Sequence, residues 1–226
     1  MPAQQLPGAV ESQPDPALRL LGARWQRLKR VVDVSASAFL ALVALPLAML
    51  IATAIKIDSP GPVLFSHTRI GRGRRPFRLW KFRSMVDDAD AGLEDYLRGD
   101  PEHAREWSAS HKLRDDPRVT PLGRFLRKTS LDELPQFWNV LRGDLSLVGP
   151  RPIVAAEIPK YGDAMALYSR VTPGLTGLWQ VSGRNDTGYA RRIELDCDYI
   201  WNWSPALDMK ILLKTLPVIF HGRGAY

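Results

Sequence analysis

The sequence predicts an α+β, mostly helical protein that is monotopic, meaning that it enters a membrane from one face and leaves by the same face. The first observation is the uncharged run from Val34 to Ile55, bounded by Asp33 and Lys56, which as a helix is long enough to cross a bilayer core. The second is Pro46 inside that run, because proline removes a helical hydrogen bond and clashes with the preceding turn. The third is a pair of short apolar segments after the run, which predict a β-hairpin.

The chain before the apolar run divides into two parts. Residues 1–17 are rich in Pro, Gln and Ala and predict a disordered leader. In residues 18–30, basic side chains occur among Leu and Trp. This pattern is typical of an amphipathic helix on an anionic membrane surface. A signal peptide fits poorly, because the apolar run is too long and starts too far into the chain. We therefore divide the chain into the leader, a membrane segment at 18–57 and a cytosolic domain at 58–226.

Both flanks of the apolar run are basic. Lys29 and Arg30 precede it, and Lys56 and the basic segment 69–78 follow it. Basic flanks favour the cytoplasmic side of a membrane, and a straight span would place one of them outside. A helix broken at Pro46 keeps both inside, so the sequence predicts a re-entrant helix. A kinked span and a buried core helix are the alternatives, because proline also occurs in spanning helices.

The overall charge narrows the class of partner. The net charge of +7 and the pI of about 9.7 indicate a polyanionic partner, whether nucleic acid, anionic lipid or a phosphorylated substrate. We expect anionic membrane lipid and no nucleic acid, because the basic residues cluster beside the membrane segment. Cys197 is the only cysteine, which excludes an intramolecular disulfide, and the four histidines lack the spacing of zinc ligands.

Four segments predict the regular structure of the cytosolic part. Residues 63–65 and 77–82 are apolar and aromatic and flank a turn rich in Gly and Arg at 69–75, which predicts the β-hairpin. Residues 191–203 predict a helix with an aromatic end, and residues 208–220 predict an amphipathic helix. Both helices suit either a membrane interface or a buried core.

The stretch from Thr129 to Gln136 holds the strongest functional signal. Its adjacent carboxylates, Asp132 and Glu133, lie among many cations in the sequence: Arg118, Arg124, Arg127, Lys128, Arg142 and Arg151. Two acids among so many bases suggest a site that handles both a phosphate and a metal ion. The alternative is structural, because Ser130 and Glu133 also fit a capping box at the start of a helix.

Two loops after this stretch carry further candidates. A Gly-Pro-Arg-Pro turn holds Arg151 in an extended backbone, and a fixed guanidinium is a good phosphate clamp. The segment 172–185 is rich in Gly and Pro and contains Gln180 and Arg184, which is typical of a structured binding loop. An ordinary loop arginine and a simple connecting loop are the alternatives.

Taken together, these motifs resemble those of the bacterial sugar transferases that start exopolysaccharide and O-antigen synthesis. Those proteins are small monotopic phosphoglycosyl transferases that act on a polyprenyl-phosphate carrier. The resemblance covers the chain from about Lys29 to the C-terminus. The segments that carry it are KFRSM (81–85), DPRVTPLGRFLRKTSLDELPQ (116–136), LSLVGPRP (145–152), PGLTG (173–177), LDMKI (207–211) and GRGAY (222–226).

The resemblance implies a re-entrant helix broken at a proline and a catalytic pair formed by Asp132 and Glu133. Asp132 would attack the β-phosphate of a UDP-sugar, release UMP and form a phosphosugar-aspartyl intermediate. Undecaprenyl phosphate would then accept the sugar phosphate. Asp132 and Glu133 would hold Mg²⁺ as the cofactor, and Glu133 is also a candidate base for the lipid phosphate.

The resemblance also implies roles for residues outside this pair. The positions that match phosphate-binding residues of the family are Lys81, Arg127 and Arg151. Gln180 and Arg184 are candidates for the nucleotide, and Asp208 matches a recurrent acid with a supporting role. Residues 58–226 would be a catalytic domain at the inner, cytoplasmic membrane, with its active site on the cytoplasmic face. Galactose or glucose is the expected sugar, and the oligomeric state is left open, a homodimer included.

Two other functions remain as alternatives. Asp88 and Asp90 form a D-x-D pair like that of metal-dependent glycosyltransferases, and this function predicts loss of activity when those aspartates are changed. The basic segment 69–83 would let a membrane-anchored scaffold bind anionic lipid. A scaffold predicts no UMP release from any UDP-sugar.

Overall fold

The fold is described from a computed structural model. The structure describes residues 22–87, 89, 91–99, 102, 105, 116–183 and 188–221. Several predicted features lie outside the described residues: the leader at 1–17, the D-x-D residues Asp88 and Asp90, Arg184 and the final motif at 222–226.

One long helix, α1 (Ala23–Asp58), begins the described chain. Its sequence contains no glycine, and the turn-forming residues Ser59, Pro60 and Gly61 follow its end. Among the described residues it is the one helix long and apolar enough to cross a membrane. The helix runs through Pro46 without interruption, so it does not itself confirm the re-entrant path predicted from the sequence.

The two ends of α1 contact the rest of the protein, whereas its middle is exposed. Near the N-terminal end, the ring of Trp25 packs edge-on against Trp203, with 5.9 Å between the ring centroids. Near the C-terminal end, Ile51 and Ile55 are buried. Between these contacts, the large apolar side chains of residues 39–50 are mostly exposed. A contiguous apolar surface of this kind indicates contact with a membrane or another protein.

The predicted β-hairpin is present. Strand β1 (Leu64–Ile70) pairs antiparallel with strand β2 (Pro76–Phe82). A 3₁₀ turn at Arg72–Arg74 joins them, and Gly73 takes φ of 68°, a value that glycine adopts without steric cost. Strand β1 extends well beyond the predicted residues 63–65, because its pairing with β2 continues to the turn.

Seven short or medium helices follow in the described residues: α2 (Ala91–Gly99), α3 (Pro121–Thr129), α4 (Gln136–Arg142), α5 (Ile158–Tyr161), α6 (Ala164–Tyr168), α7 (Tyr189–Trp201) and α8 (Pro205–His221). Helices α7 and α8 confirm the two predicted from the sequence. Helix α3 has no counterpart among those predictions, although its start is well formed. The Thr120 side chain accepts a hydrogen bond from the Gly123 amide at 2.9 Å, and Pro121 occupies the first turn.

A second sheet includes residues 174–176, which lie inside the loop predicted at 172–185. Strands β3 (Ser146–Val148) and β4 (Gly174–Thr176) pair in parallel. The loop prediction was wrong here because each strand has only 3 residues, too few to show an alternating pattern. Gly174 is required by close packing, since a Cβ at this position would lie 2.1 Å from the backbone nitrogen of Gly149.

Three apolar clusters hold the described elements together, and two of them fix the position of strand β2. The larger one forms where β2, α4, β3, α7 and α8 meet, and its most buried members include Val140, Val148, Tyr199, Ile200 and Ile211. The smaller one joins the C-terminal part of α1 to β2 and α3 through Ile51, Ile55, Phe82 and Leu126. Strand β2 belongs to both clusters, so its position relative to α3 and α4 is fixed.

Candidate active site

The adjacent carboxylates Asp132 and Glu133, here called the dyad, lie on a 3₁₀ turn at Leu131–Glu133 between α3 and α4. Ser130 ends α3 with φ of 56° and ψ of 18°, in the left-handed region that residues other than glycine seldom adopt. This conformation stops α3, so the dyad follows on a separate turn. Backbone strain of this kind clusters at functional sites.

The capping box that the sequence also allowed does not form. The side chain of Ser130 makes no capping hydrogen bond. Instead, the dyad faces strand β2, where Lys81 Nζ donates to Glu133 Oε1 at 2.7 Å and to Asp132 Oδ2 at 3.1 Å. Both carboxylates of the dyad therefore share one ammonium group.

Burial separates the two carboxylates of the dyad. Asp132 is 6% exposed, whereas the side chain of Glu133 is 37% exposed. Burial raises the pKa of Asp132 above its ordinary value, and so does the neighbouring charge of Glu133, while Lys81 and Arg127 oppose this rise. Burial alone would lower the pKa of Lys81, but Glu133 and Asp132 together raise it. Lys81 therefore stays protonated and favours the charged form of Asp132.

Asn139 on α4 holds strand β2 in the position that this contact requires. Its Nδ2 donates to the carbonyl oxygen of Arg78 at 2.7 Å, and its Oδ1 accepts from the amide of Trp80 at 3.0 Å. Asn139 is fully buried, so it ties the strand that carries Lys81 to the helix that follows the dyad. Asn139 is absent from the site residues predicted from the sequence. The one feature of the sequence that could have indicated its role is that it is a polar residue inside an apolar helical segment.

Arg127 lies in the last turn of α3. Its Nε donates to Ser84 Oγ at 2.9 Å, which fixes the guanidinium. Its charge lowers the pKa of Asp132, and the charge of Asp132 in turn acts on Arg127. The structure thus brings three predicted residues, Lys81, Arg127 and Asp132, to one place.

Arg151 follows strand β3 and is a further predicted residue that the structure relates to the dyad. Its guanidinium carbon lies 5.2 Å from the centroid of the Trp179 ring, and the charge of Glu133 acts on it. Gln180 donates from Nε2 to the carbonyl oxygen of Leu175 at 3.5 Å. Its Oε1 is buried without a hydrogen-bond partner in the described part of the chain. Gln180 therefore lies in the loop that carries Trp179, whose ring Arg151 contacts.

Comparisons with known proteins identify the family of the chain. Residues 24–222 match the model of the bacterial sugar transferase family. The chain belongs to this family. Its membership confirms the family and the enzyme class, a transferase, that the motifs predicted.

Three relatives illustrate the likeness of this sugar transferase. It is 46% identical over 198 residues to the exopolysaccharide production protein ExoY of Rhizobium meliloti (strain 1021), which covers 88% of each chain. It is 47% identical over 199 residues to the undecaprenyl-phosphate galactose phosphotransferase of Salmonella typhimurium, covering 88% of this chain and 42% of that one. It is 44% identical over 208 residues to the UDP-glucose:undecaprenyl-phosphate glucose-1-phosphate transferase of Caulobacter vibrioides, covering 88% and 72%.

In this sugar transferase, Asp208 belongs to a separate polar cluster. Its carboxylate accepts hydrogen bonds from Lys29 Nζ at 2.6 Å, Tyr199 Oη at 2.8 Å and Trp203 Nε1 at 3.1 Å. Lys29 also lies 3.8 Å from Asp33, which accepts hydrogen bonds from strand β3. These contacts join α1 to α7, α8 and β3, so Asp208 holds the long helix against the core.

Proposed function

We propose that the protein transfers a sugar-1-phosphate from a UDP-hexose to undecaprenyl phosphate and releases UMP, as the first step of exopolysaccharide or O-antigen synthesis. The observation that carries this proposal is the buried Asp132 held against Lys81 and beside Glu133. The names of two relatives support the same chemistry, since one is a galactose phosphotransferase and the other a glucose-1-phosphate transferase for undecaprenyl phosphate. Galactose or glucose is the proposed sugar.

In the first half of the proposed reaction, a carboxylate oxygen of Asp132 attacks the β-phosphorus of the UDP-sugar. An oxygen–phosphorus bond forms, the bond from this phosphorus to the oxygen that bridges to the α-phosphate breaks, and UMP leaves with that oxygen. Carboxylates accept phosphoryl groups in this way in aspartyl-phosphate enzymes. Asp132 suits the role because Lys81 favours its charged form despite its burial.

In the second half, an oxygen of undecaprenyl phosphate attacks the aspartyl phosphorus, and the carboxylate of Asp132 leaves. The side chains of Lys81, Arg127 and Arg151 offset the negative charge on the phosphate oxygens. Lys81 suits both halves, because its ammonium contacts both carboxylates. When the charge of Asp132 is consumed in the intermediate, Glu133 keeps Lys81 in place and Lys81 can donate to the phosphate. Glu133 is also the proposed base for the lipid phosphate.

Mg²⁺ is the proposed cofactor, held by Asp132 and Glu133. The donor set fits, because the two carboxylates converge on one cation, Lys81 Nζ, and Mg²⁺ is bound in proteins by one or two carboxylates with substrate phosphates and water. No group of three or more acidic, His or Cys ligands occurs in the described part of the chain. When bound, the ion would neutralise charge on the transferring phosphate.

The proposed location is the cytoplasmic face of the inner membrane, with α1 as a re-entrant helix. Both ends of α1 contact the same core, through Lys29 at one end and through Ile51 and Ile55 at the other. The apolar residues 39–50 between them are mostly exposed, as insertion into a membrane requires.

A re-entrant helix also explains how two unlike substrates meet. The UDP-sugar is soluble, whereas the phosphate of undecaprenyl phosphate lies at the membrane surface. A catalytic core that is held at the membrane surface reaches both substrates without crossing the bilayer. The basic segments on both sides of the apolar run would face the anionic lipid headgroups.

The reaction is tested by UMP release from purified protein in detergent. The assay contains Mg²⁺ and one of a panel of UDP-sugars, with and without undecaprenyl phosphate, and is repeated with Asp132→Asn and with the exposed control Asp163→Asn. We expect lipid-dependent release with one sugar, which is abolished in Asp132→Asn and retained in Asp163→Asn. Undiminished release in Asp132→Asn would remove Asp132 as the nucleophile. Absence of release with every sugar would favour the membrane scaffold.

The re-entrant path has its own test. Cysteines are introduced singly at Arg24 and Ile57, both exposed, in a Cys197→Ser background. A membrane-impermeant thiol reagent is then applied to intact spheroplasts and to inverted vesicles. We expect both cysteines to react in inverted vesicles alone. Reaction of one of them in intact spheroplasts would establish a span and contradict the re-entrant path.

A further inference from the structure

Arg151 belongs to a cluster of cationic side chains that also contains Arg192 and is built around Trp179. The guanidinium carbons of Arg151 and Arg192 lie 5.2 and 5.3 Å from the centroid of the same ring, that of Trp179. Both distances are within the range of a cation–π contact. Arg192 also lies 4.9 Å from the centroid of the Tyr189 ring. The aromatic rings therefore hold two guanidinium groups close together.

A third arginine joins this pair from strand β1. Burial lowers the pKa of Arg69 to about 10, and the charges of Arg151 and Arg192 contribute to the lowering. The charge of Arg192 likewise acts on Arg151. Strand β1 also contacts the segment after Arg151 directly, because the amide of Ile70 donates to the carbonyl oxygen of Ile153 at 2.8 Å. The three guanidinium groups therefore lie in one partly desolvated region. Arg69 and Arg151 are partly exposed, so they form the mouth of the cluster, and the buried Arg192 forms its floor.

The carboxylates around this cluster do not balance its charge. Glu157 Oε1 accepts from Arg192 Nη1 at 3.3 Å. Asp196 is buried and accepts a hydrogen bond from Tyr161 Oη at 2.8 Å, and burial raises its pKa to about 7. At neutral pH, Asp196 is therefore only partly ionised. Three arginines face Glu157 and the partly ionised Asp196, and the charge of Glu133, which also acts on Arg151, is paired with Lys81. An excess of positive charge therefore remains in a site with limited access to water.

Hydrogen-bond donors in the cluster also lack acceptors. Nε and Nη2 of Arg192 and Nε1 of Trp179 are buried without a hydrogen-bond partner among the described residues. The two side chains are only 8% and 5% exposed. Leaving a buried donor unsatisfied costs about 1–3 kcal/mol, and more for a charged group. An anion with several acceptor oxygens would satisfy the donors and neutralise the excess charge together.

We propose that Arg69, Arg151 and Arg192, arranged around Trp179, form a second phosphate-binding site next to the dyad. Its ligand is a phosphate group other than the one that Asp132 attacks, carried by the nucleotide or by the polyprenyl phosphate. The assignment to a substrate rests on the proposed function. Arg151 connects the two sites, because it is influenced both by Glu133 of the dyad and by Arg192 of the cluster.

The test measures binding without turnover. The full-length protein and its variants Arg192→Gln and Arg69→Gln are titrated in detergent by calorimetry with three probes: UMP, undecaprenyl phosphate and inorganic pyrophosphate. Arg191→Gln is the matched control, since Arg191 precedes Arg192, is exposed and pairs with Glu194 at 2.8 Å. A hydrogen bond to a charged group contributes about 1.5–3 kcal/mol, so we expect the affinity for one substrate to fall about tenfold or more in both test variants. Arg191→Gln should bind like the wild type.

The three probes distinguish the two sources of phosphate. Weaker binding of UMP alone would assign the site to the nucleotide, and weaker binding of undecaprenyl phosphate alone would assign it to the lipid. Unchanged affinity for both substrates, with or without a change for pyrophosphate, would overturn the proposal. If Arg192→Gln does not fold, Arg69→Gln and the charge-conserving Arg192→Lys decide the outcome. A failure of the proposed reaction is recognised separately, as an absence of UMP release by a wild-type protein that still binds these probes.

Discussion

Replacing Lys81 by Gln tests the charge balance of the dyad. Lys81 Nζ lies 3.1 Å from Asp132 Oδ2 and 2.7 Å from Glu133 Oε1, so its removal leaves two adjacent carboxylates without their shared cation. Lys81 lowers the pKa of Asp132, whereas burial and Glu133 raise it. In Lys81→Gln, the pKa of Asp132 should therefore lie still further above its ordinary value.

The size of this effect follows from Coulomb's law. Two unit charges separated by 3.1 Å attract each other by about 1.3 kcal/mol in water and by about 5 kcal/mol at an effective dielectric constant of about 20. The side chain of Lys81 is 31% exposed, so solvent screening moves the value toward the lower figure. Because one pH unit corresponds to about 1.4 kcal/mol, we expect the acid limb of the activity profile to move up by about one to two pH units.

The assay is the pH dependence of kcat/KM for UMP release, which reports ionisations of the free enzyme. A carboxylate nucleophile must be deprotonated, so with Asp132 as the proposed nucleophile we expect activity above its pKa and loss of activity as the pH falls through it. The loss should begin at a higher pH in Lys81→Gln and at a lower pH in Glu133→Gln. Lys81→Arg keeps the charge and should retain the acid limb of the wild type. Arg78→Gln removes an exposed cation from the same strand and is the matched control.

The pH at which activity is lost on the acid side decides the result, and the maximal rate does not. Lys81→Gln would also lose the proposed contact to the phosphate, so we expect its maximal rate to fall whatever the ionisation of Asp132. An acid limb that stays at the wild-type pH would refute the reasoning. Lys81 would then serve the phosphate alone, and another group would keep Asp132 charged.

Three further predictions concern stability and are measured by thermal unfolding in detergent. Gly123→Ala should cost about 1–3 kcal/mol of stability, because a Cβ there would lie 1.9 Å from the carbonyl oxygen of Ser84. Lys29→Met removes the cation 2.6 Å from Asp208 and should cost about 3 kcal/mol, as expected for breaking a largely buried ion pair. Burial raises the pKa of Asp196 to about 7, so the folded protein holds a proton that the unfolded chain releases near pH 4. The wild type should therefore lose stability as the pH rises from about 4 to about 7, and Asp196→Asn should lose much less.

Each of these variants has a matched control. Gly99→Ala adds a Cβ that meets no atom within 4 Å, Arg27→Gln removes an exposed cation from α1, and Asp198→Asn changes a carboxylate on the helix of Asp196. The controls should unfold like the wild type. An equal loss of stability in Gly99→Ala or Arg27→Gln would contradict the corresponding structural reason. For Asp196→Asn, the contradicting result is a pH dependence equal to that of the wild type.

The hairpin, the last two helices and the place of the dyad follow from the sequence because their signals are local. Strand β2 combines apolar and aromatic residues with two basic residues next to a turn rich in Gly and Arg, and α8 has an apolar face with helical spacing. The dyad stands out because two carboxylates among many cations demand a chemical or structural reason. Such signals need no knowledge of which segments meet in space.

The contact between Lys81 and the dyad could not be predicted in the same way, because the two residues of the pair Lys81 and Asp132 are 51 positions apart in the chain. Asn139 and Lys81 are connected only through the hydrogen bonds that Asn139 makes with β2. The pairing of β3 with β4 also depends on tertiary contact, and neither strand is long enough to carry a pattern. Ser130 matched a capping box by sequence, yet tertiary packing placed it in the left-handed region and turned Glu133 toward Lys81.

The contacts of α1 give the long helix a direct influence on the dyad. Helix α3, which precedes the dyad, packs through Leu126 on Ile51 and Ile55 of α1. Helix α4, which follows the dyad, has its C-terminal carbonyl groups capped by Arg30 of α1, with 2.7 Å from Nη2 to the carbonyl oxygen of Leu141. The two helices that frame the dyad therefore rest on different ends of one helix. If α1 sets the depth of the protein in the membrane, the same contacts set the depth of Asp132. An acceptor phosphate confined to the membrane surface would then meet the phosphosugar on Asp132, the proposed nucleophile, at a fixed distance from the bilayer.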